Sequence, residues 1–419
     1  MAATVVQSGS YTLELDTGFD VGSFELDDPT KGVLGNTTYL LGPTTQYADI
    51  TAYVTKIDYK RGREKTDDQF GAGTLSFTML DQTGILGPYD STSPYYDTAN
   101  NEPGLAPMRA IRLKRGTTEL FNGYVTGYNY EFALAGPNIV NVQCADEFYR
   151  LAQTQLDEWN VVSETSGQRI TSTLALPEID YTGTTDIDTG TVDLGHDASY
   201  TVAQGTNTLA YLQQINQAEQ GRLFIAADGT LTFQPRIGNT LSGAIISFND
   251  DGTEADYESV QVEFDADNVV NRAYVKALNN NESTDSDAAS ITKYFTQSSS
   301  ITNSLLHVQG QIDALATYLL VADPEPRYTA LTTTFSRLTD AQRDLVATID
   351  IGDTISIHKE IPGLGIDLAA ELSVEGISSS ITVDQGHSIT FYTAPTTIVY
   401  ELILNDATYG TLDATNVLG

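Results

Sequence analysis

The sequence predicts a mainly β protein with a few helices, in which two similar antiparallel β-units of barrel or sandwich type flank a smaller α+β middle region. Three observations lead there. Runs of alternating apolar and polar residues, bounded by Gly, Asp or Pro, recur along the 419 residues. Helical spacing is confined to three segments. One order of strand, connector, strand, turn and strand occurs twice, around Gly127 and around Gly376. Core material is ample, with 40% hydrophobic and 18% charged residues, 23 Tyr and 14 Phe, which argues against a disordered chain.

Taken in order, Tyr11 to Leu15 alternates as a strand, and Gly73 to Leu80 places Leu75, Phe77 and Met79 on one face and Thr74, Ser76 and Thr78 on the other. From Asp81 to Met108 the alternation stops at Pro88, Pro94, Pro103 and Pro107, giving a long loop of the kind that usually carries function or an interface. Ile111 to Lys114 resumes the strand pattern. Phe148, Leu151, Ala152, Leu156 and Trp159 predict a helix over 147–159 that closes the first unit, 1–159.

The middle region, 160–265, carries a helix over 206–220 with Leu209, Leu212, Ile215 and Ala218 on one stripe. Gly221 ends it, and Leu223 to Phe233 reads as a hairpin turning on Asp228-Gly229. The second unit, 266–400, holds a solvated loop over 278–290, a helix over 303–321 stopped by Asp323-Pro324, and strands at Ile349, Ile355 and Ile389. Residues 401–419 form a terminal strand or tail. In the repeated order, twelve residues separate Gly127 from the strand start at Ile139 and thirteen separate Gly376 from Ile389.

The formal charge is −35, from 56 acidic and 21 basic residues, which argues against a general nucleic-acid or anionic-membrane binder. Nine of the 21 basic residues lie in two short segments: Lys56, Lys60, Arg61, Arg63 and Lys65, then Arg109, Arg112, Lys114 and Arg115. A basic stripe on an acidic chain could pair with copies of itself; two ordinary solvated strand faces explain it equally well. The N-terminus lacks a basic n-region and a sustained apolar run, so no secretory signal is expected. Cys144 reads as a buried inert thiol on an inward strand position.

Sequence signatures of catalysis are missing: there is no phosphate loop, nucleophile elbow or His-Glu-x-x-His, and the four histidines are scattered. Two Asp-Thr-Gly triplets, at Asp16 and Asp188, match in outline the paired carboxylates of aspartic proteases. Glu14 and Asp186 would charge a site meant to be dry, so each triplet reads better as a turn after a strand. Acidic turns at 249–252, 265–268 and 285–287 lack the twelve-residue loop with a closing Glu that makes a calcium site specific. No catalytic, cofactor or metal site is therefore expected.

Several segments then fall in a telling order: Asp49-Ile-Thr-Ala-Tyr-Val-Thr-Lys-Ile-Asp-Tyr-Lys-Arg-Gly-Arg63, Phe70-Gly-Ala-Gly-Thr-Leu-Ser-Phe-Thr-Met-Leu80, Gly87-Pro-Tyr89 and Ser93-Pro-Tyr-Tyr96. Leu105-Ala-Pro-Met-Arg109, Leu120-Phe-Asn-Gly-Tyr-Val125, Ala145-Asp-Glu-Phe-Tyr-Arg150, Leu231-Thr-Phe-Gln-Pro-Arg236, Asn268-Val-Val-Asn-Arg272 and Ile351-Gly-Asp353 continue it. Over residues 49–395 this set resembles the minor tail, or tail-tip (baseplate) hub, proteins of long-tailed siphovirus-type bacteriophages, especially those of actinobacteria.

The resemblance implies that the two β-units are tail-tube-like domains, so that three chains form a pseudo-sixfold ring. Such a homotrimer would join the tube or distal tail proteins above to tip or adhesin proteins below, and would surround the DNA exit channel without binding DNA specifically or inserting stably into a membrane. It implies a virion protein, made and assembled in the bacterial host cytoplasm, with no enzyme activity. A glycan-binding adhesin and a sixfold distal tail protein are the alternatives.

Interaction residues expected on either ground are Lys60, Arg61, Arg63, Lys65, Arg109 and Arg112 of the basic stripe, and Tyr89, Tyr95 and Tyr96 of the long loop. In a trimer the charge is formally three times −35. Much of it is expected to line the channel, where it would repel DNA from the wall.

Overall fold

The computed structural model describes residues 11–19, 47–65, 68–134, 136–236, 243–361, 366–384, 386–395, 400–401 and 416–417. Strands of three or more residues are numbered in chain order. The first seven are β1 (Tyr11–Asp16), β2 (Tyr47–Asp49), β3 (Val54–Gly62), β4 (Thr74–Asp81), β5 (Ala110–Arg115), β6 (Thr118–Glu131) and β7 (Asn138–Ala145). After helix α1 (Glu147–Gln153) and helix α2 (Ser166–Leu174) come β8 (Thr185–Ile187), α3 (Thr208–Glu219), β9 (Arg222–Ile225) and β10 (Leu231–Gln234).

Then follow β11 (Ser247–Asn249), β12 (Ser259–Glu263), β13 (Arg272–Ala277), β14 (Glu282–Ser286), α4 (Ala288–Tyr294), β15 (Ser298–Ser304) and α5 (Gln309–Tyr318). The chain continues through β16 (Arg327–Thr334), α6 (Asp340–Thr348), β17 (Thr354–Ile361), β18 (Ile366–Thr382) and β19 (Gly386–Pro395). The fold is mainly β, as the alternating pattern predicts.

One 13-stranded sheet dominates, in the order β12-β16-β19-β18-β3-β4-β7-β6-β5-β1-β2, with β17 on β18 and β11 on β17. Its pairs are antiparallel except β11 with β17. The duplication seen in the sequence is present in the ladders. The order β3-β4-β7-β6-β5 of the first unit recurs as β12-β16-β19-β18-β17 in the second. In each unit the long fourth strand breaks register at the marked glycine, between Val125 and Gly127 in β6 and between Val374 and Gly376 in β18. A bulge there bends the strand, so its two halves can hold different neighbours on one edge.

The two units are not separate layers. β18 pairs with β3 from Gly376 opposite Gly62 to Thr382 opposite Lys56, and one hydrophobic core runs beneath both, from Leu13, Ile57 and Phe77 to Ile355, Ile377 and Phe391. Alternation explains its filling: in β4 the inward Leu75, Phe77 and Met79 are buried while Thr74, Ser76 and Thr78 face out.

A second core gathers Phe148, Leu212, Ile215 and Phe233 with Val275, Leu305 and Ile312. Residues 275–316, which the sequence reading assigns to the second β-unit, thus contribute side chains to the middle core. The chain reaches the second sheet unit through β11 and β12, leaves it for this core, and returns at β16.

Helix boundaries differ from expectation at three places. The helix expected over 147–159 stops at Gln153, and Trp159 instead bridges to Val202. The helix expected over 303–321 occupies 309–318; residues 298–304 pair in parallel with β13, using the strand propensity of a Ser/Ile/Thr run. The expected loop at 278–290 contains β14, an edge strand held by backbone pairing with β13 and by bonds from Tyr274 and Thr317 to its carboxylates, and the start of α4, capped by Asp287.

Helix α2 was not expected, because its buried face contains few apolar residues. Fully buried Arg169 fills that face, bonding Glu164, the Tyr211 hydroxyl and the carbonyls of Val162 and Gly195. At Gly167 an added Cβ would lie 1.7 Å from the Asp188 carbonyl oxygen. Gly167→Ala is therefore expected to cost about 1–3 kcal/mol through overpacking, seen as a lower thermal midpoint.

Candidate assembly interface

The joint between the two units is an ion-paired seam. At the β18 bulge, Glu375 is 3% exposed and accepts from Arg63 Nη2 at 2.8 Å and Arg222 Nη2 at 2.9 Å. Arg222 also donates to Ser373 Oγ at 2.7 Å. Beside it, Arg61 Nη1 meets Asp350 Oδ1 at 2.5 Å, and the Ala227 N–H donates to the other Asp350 oxygen at 2.7 Å. One residue cluster thus binds β3, β18 and the middle hairpin β9–β10 together.

Asp146, fully buried below the seam, accepts the N–H groups of Gly73 and Phe148, and burial pushes its carboxyl up to about 7. Across the core, His387 joins β1 to the second unit. The Tyr11 hydroxyl lies 2.7 Å from His387 Nδ1 and the Ser379 hydroxyl 2.6 Å from Nε2. The Phe335 ring packs at 3.9 Å between centroids.

Most of the expected interaction residues are engaged within the chain. Arg61 and Arg63 belong to the seam. Lys60 pairs with Glu64 at 2.6 Å on the outer sheet face, and Arg109 reaches Glu102 at 3.5 Å. Arg112 pairs with Glu14, which Lys114 also reaches at 3.1 Å, and stacks over the Tyr47 ring. Lys65 is exposed at a cleft shared with Glu263 and Arg327.

In the long loop, Tyr95 packs edge-on against Tyr53 and Tyr96 donates to Asn101, whereas Tyr89 is 86% exposed. The loop is anchored at its start by Asp81, whose carboxylate accepts the N–H groups of Thr83, Gly84 and Leu86. It occupies the same place in the first unit, between the second and fifth strands, that α6 occupies in the second.

Residues absent from the expected set are exposed at the two ends of the duplication. On β6 and its continuation Tyr128, Tyr130 and Phe132 stack in a row, with Phe132 59% exposed and Leu134 fully so. At β12, Val262 and Phe264 are 47% and 67% exposed. Alternation at 128-130-132 and at 260-262-264 is a readable strand signal; that Phe132, Val262 and Phe264 stay uncovered while Tyr128, Tyr130 and Val260 pack against the core is not readable.

The Asp-Thr-Gly triplets lie in different parts of the fold. Asp16 ends β1 and accepts the Gly18 N–H at 2.7 Å, while Asp188 follows β8 in the middle region, its N–H donating to the Phe233 carbonyl. Among the described residues no group of three or more His, Cys, Asp or Glu could hold a metal ion, and no helix is long and apolar enough to cross a membrane.

No protein-family model matches the sequence, and neither does any curated protein. Solved structures do resemble it. The tail protein from Neisseria meningitidis MC58 aligns with a TM-score of 0.55 at 11% identity, over 84% of this chain and 94% of that one. The 43 kDa tail protein of prophage MuSo2 from Shewanella oneidensis gives 0.54 at 14% identity, over 83% and 96%. Prophage tail protein gp18 from Listeria monocytogenes gives 0.50 at 10%, over 91% and 94%. At these identities the likeness is one of architecture, and this chain has the fold of those tail proteins.

Proposed function

We propose that the chain is a structural protein of a phage tail, forming the ring-shaped hub that joins the tail tube to tip or adhesin proteins around the DNA exit channel. The observation that carries this is the duplication: two units of one strand order, already joined edge to edge, in a single chain. Three such chains supply six units, which matches a sixfold tube above; a chain with one unit would need six copies. The shared fold with three tail proteins supports the same reading.

In this ring the outer face of the sheet is the side free to meet the channel, since the other covers the core. That face carries Thr74, Ser76, Ser378, Ser380, Ser388 and Thr390, with Lys56 paired to Asp58 and Lys60 to Glu64. A wall of hydroxyls and paired charges would let DNA slide with little attraction. Under this placement it replaces the acidic lumen expected from net charge.

Sedimentation or native mass measurement of the full chain is expected to give three times 45.3 kDa. A stable monomer across micromolar concentrations, or a hexamer, would overturn the threefold hub.

A further inference from the structure

The two units use one edge differently. In the second unit the fourth strand β18 holds β17 along its first half and β3 along its second, on the same edge. In the first unit β6 holds β5 along its first half, and from Gly127 onward that edge has no strand among the described residues. The strand that corresponds to β3 is β12, which among the described residues pairs only with β16 and ends the sheet. The chain therefore contains one closed joint and both halves of an open one.

We infer that the edge of β6 from Gly127 to Phe132 takes β12 of a second copy of this chain, in the antiparallel register in which β18 takes β3. The inference deepens the ring reading above and rests on it for the number of copies.

Register follows from matching rows. Tyr128, Val142, Phe77 and Ile57 lie side by side across the first unit, as Ile377, Phe391, Leu331 and Val260 do across the second. Within the chain Ile381 faces Ile57 and Ser380 faces Asp58. By correspondence Phe132 faces Val260 of the neighbour, and Glu131 faces its Gln261.

Two further observations point to the same partner. Phe132, Leu134, Val262 and Phe264 are exposed at these two edges, where an unprotected apolar strand edge would otherwise invite disordered aggregation. The bulge glycines also differ in surroundings. A Cβ on Gly376 would lie 2.4 Å from the Arg63 carbonyl oxygen of the strand beside it, whereas a Cβ on Gly127 meets nothing within 4 Å. The space that the end of β3 and Arg63 fill beside Gly376 is open beside Gly127 among the described residues. Thr126 stands where the closed joint has Glu375, so the open joint has backbone and apolar contacts without the ion-paired seam.

The test uses the full chain. Glu131→Cys with Gln261→Cys, oxidised in solution, is expected to give covalent multimers ending at a closed ring, while either single variant gives none, because the two positions lie on opposite sides of a head-to-tail contact. Native Cys144 is buried and stays out of the reaction. Gly127→Val is expected to leave the thermal midpoint of the dissociated chain within about 2 °C while weakening self-association at least tenfold, since its side chain has room in the free chain only.

Assembly that persists in Gly127→Val, with no cross-link in the double variant, would overturn the interface and leave the ring standing. A wild-type chain that stays monomeric overturns both.

Discussion

Replacing Glu375 by glutamine is expected to lower the unfolding free energy by about 3–5 kcal/mol, the range for breaking a buried ion pair from one side. The carboxylate is 4% exposed as a side chain and is shared by Arg63 and Arg222, themselves 16% and 20% exposed. Glutamine keeps the shape and removes the charge, so two half-buried guanidinium groups lose their counter-ion together. The seam holds the two β-units and the middle hairpin at one point, so loosening it should affect the whole molecule. Urea titration checks this: the midpoint falls at unchanged slope. Adding Arg63→Met should recover part of the loss, because it removes one stranded charge. A change below about 1 kcal/mol would mean that the seam behaves as an exposed salt bridge.

The second large effect is acid lability at His387. The ring is buried, and loss of hydration, assisted by the Arg115 charge, pushes its pKa down to about 3 from an ordinary value of 6.5. Above pH 6.5 the imidazole is neutral in both states and contributes no pH dependence. As pH falls from 6.5 toward 3 the unfolded chain takes up a proton that the native ring refuses. Stability is then lost at up to about 1.4 kcal/mol per pH unit.

Groups facing the ring are the Tyr11 and Ser379 hydroxyls, Phe335 and the nearby Arg115, whose charge is paired with Asp344. The two hydroxyls and the phenyl ring take up no proton in that range. His387→Gln should cost stability at pH 7 by losing a hydrogen bond, yet fall off less steeply below pH 6. Parallel midpoint curves for the two proteins between pH 4 and 7 would show that the imidazole is not responsible.

Much of the fold was legible because its signals are local. Alternation in β4 and β7, the Asp228-Gly229 hairpin and the α3 stripe each depend on residues a few positions apart. The repeat was legible too, since a bulge glycine followed at nearly constant spacing by a strand is a property of the chain itself. Helix α2 was missed because a buried arginine and a glycine do the packing usually done by leucines. Helix α6 carried a readable signal, the capping box of Thr339 and Gln342, but its buried apolar residues are only Val346 and Ala347.

The candidate interface was legible only in part. Sequence showed a basic cluster at Lys60–Lys65 and an aromatic loop at Tyr89–Tyr96, and both were treated as surface. Arg61 and Arg63 turned out to be bound by partners far along the chain, Glu375 being 312 positions from Arg63. The exposed apolar residues of the open edges lay in unremarkable alternating runs.

By itself, then, the sequence determined the class and a duplicated succession of three strands, because periodicity and glycine spacing are written along the chain; how those strands line up in the sheet came from the structure. Tertiary structure decided three things: that the units share one sheet and one core, which arginines lie inside it, and which strand edges remain open. Those outcomes depend on groups that meet only when residues hundreds of positions apart fold together, and a buried charge or an unpaired edge is defined by what lies next to it in space.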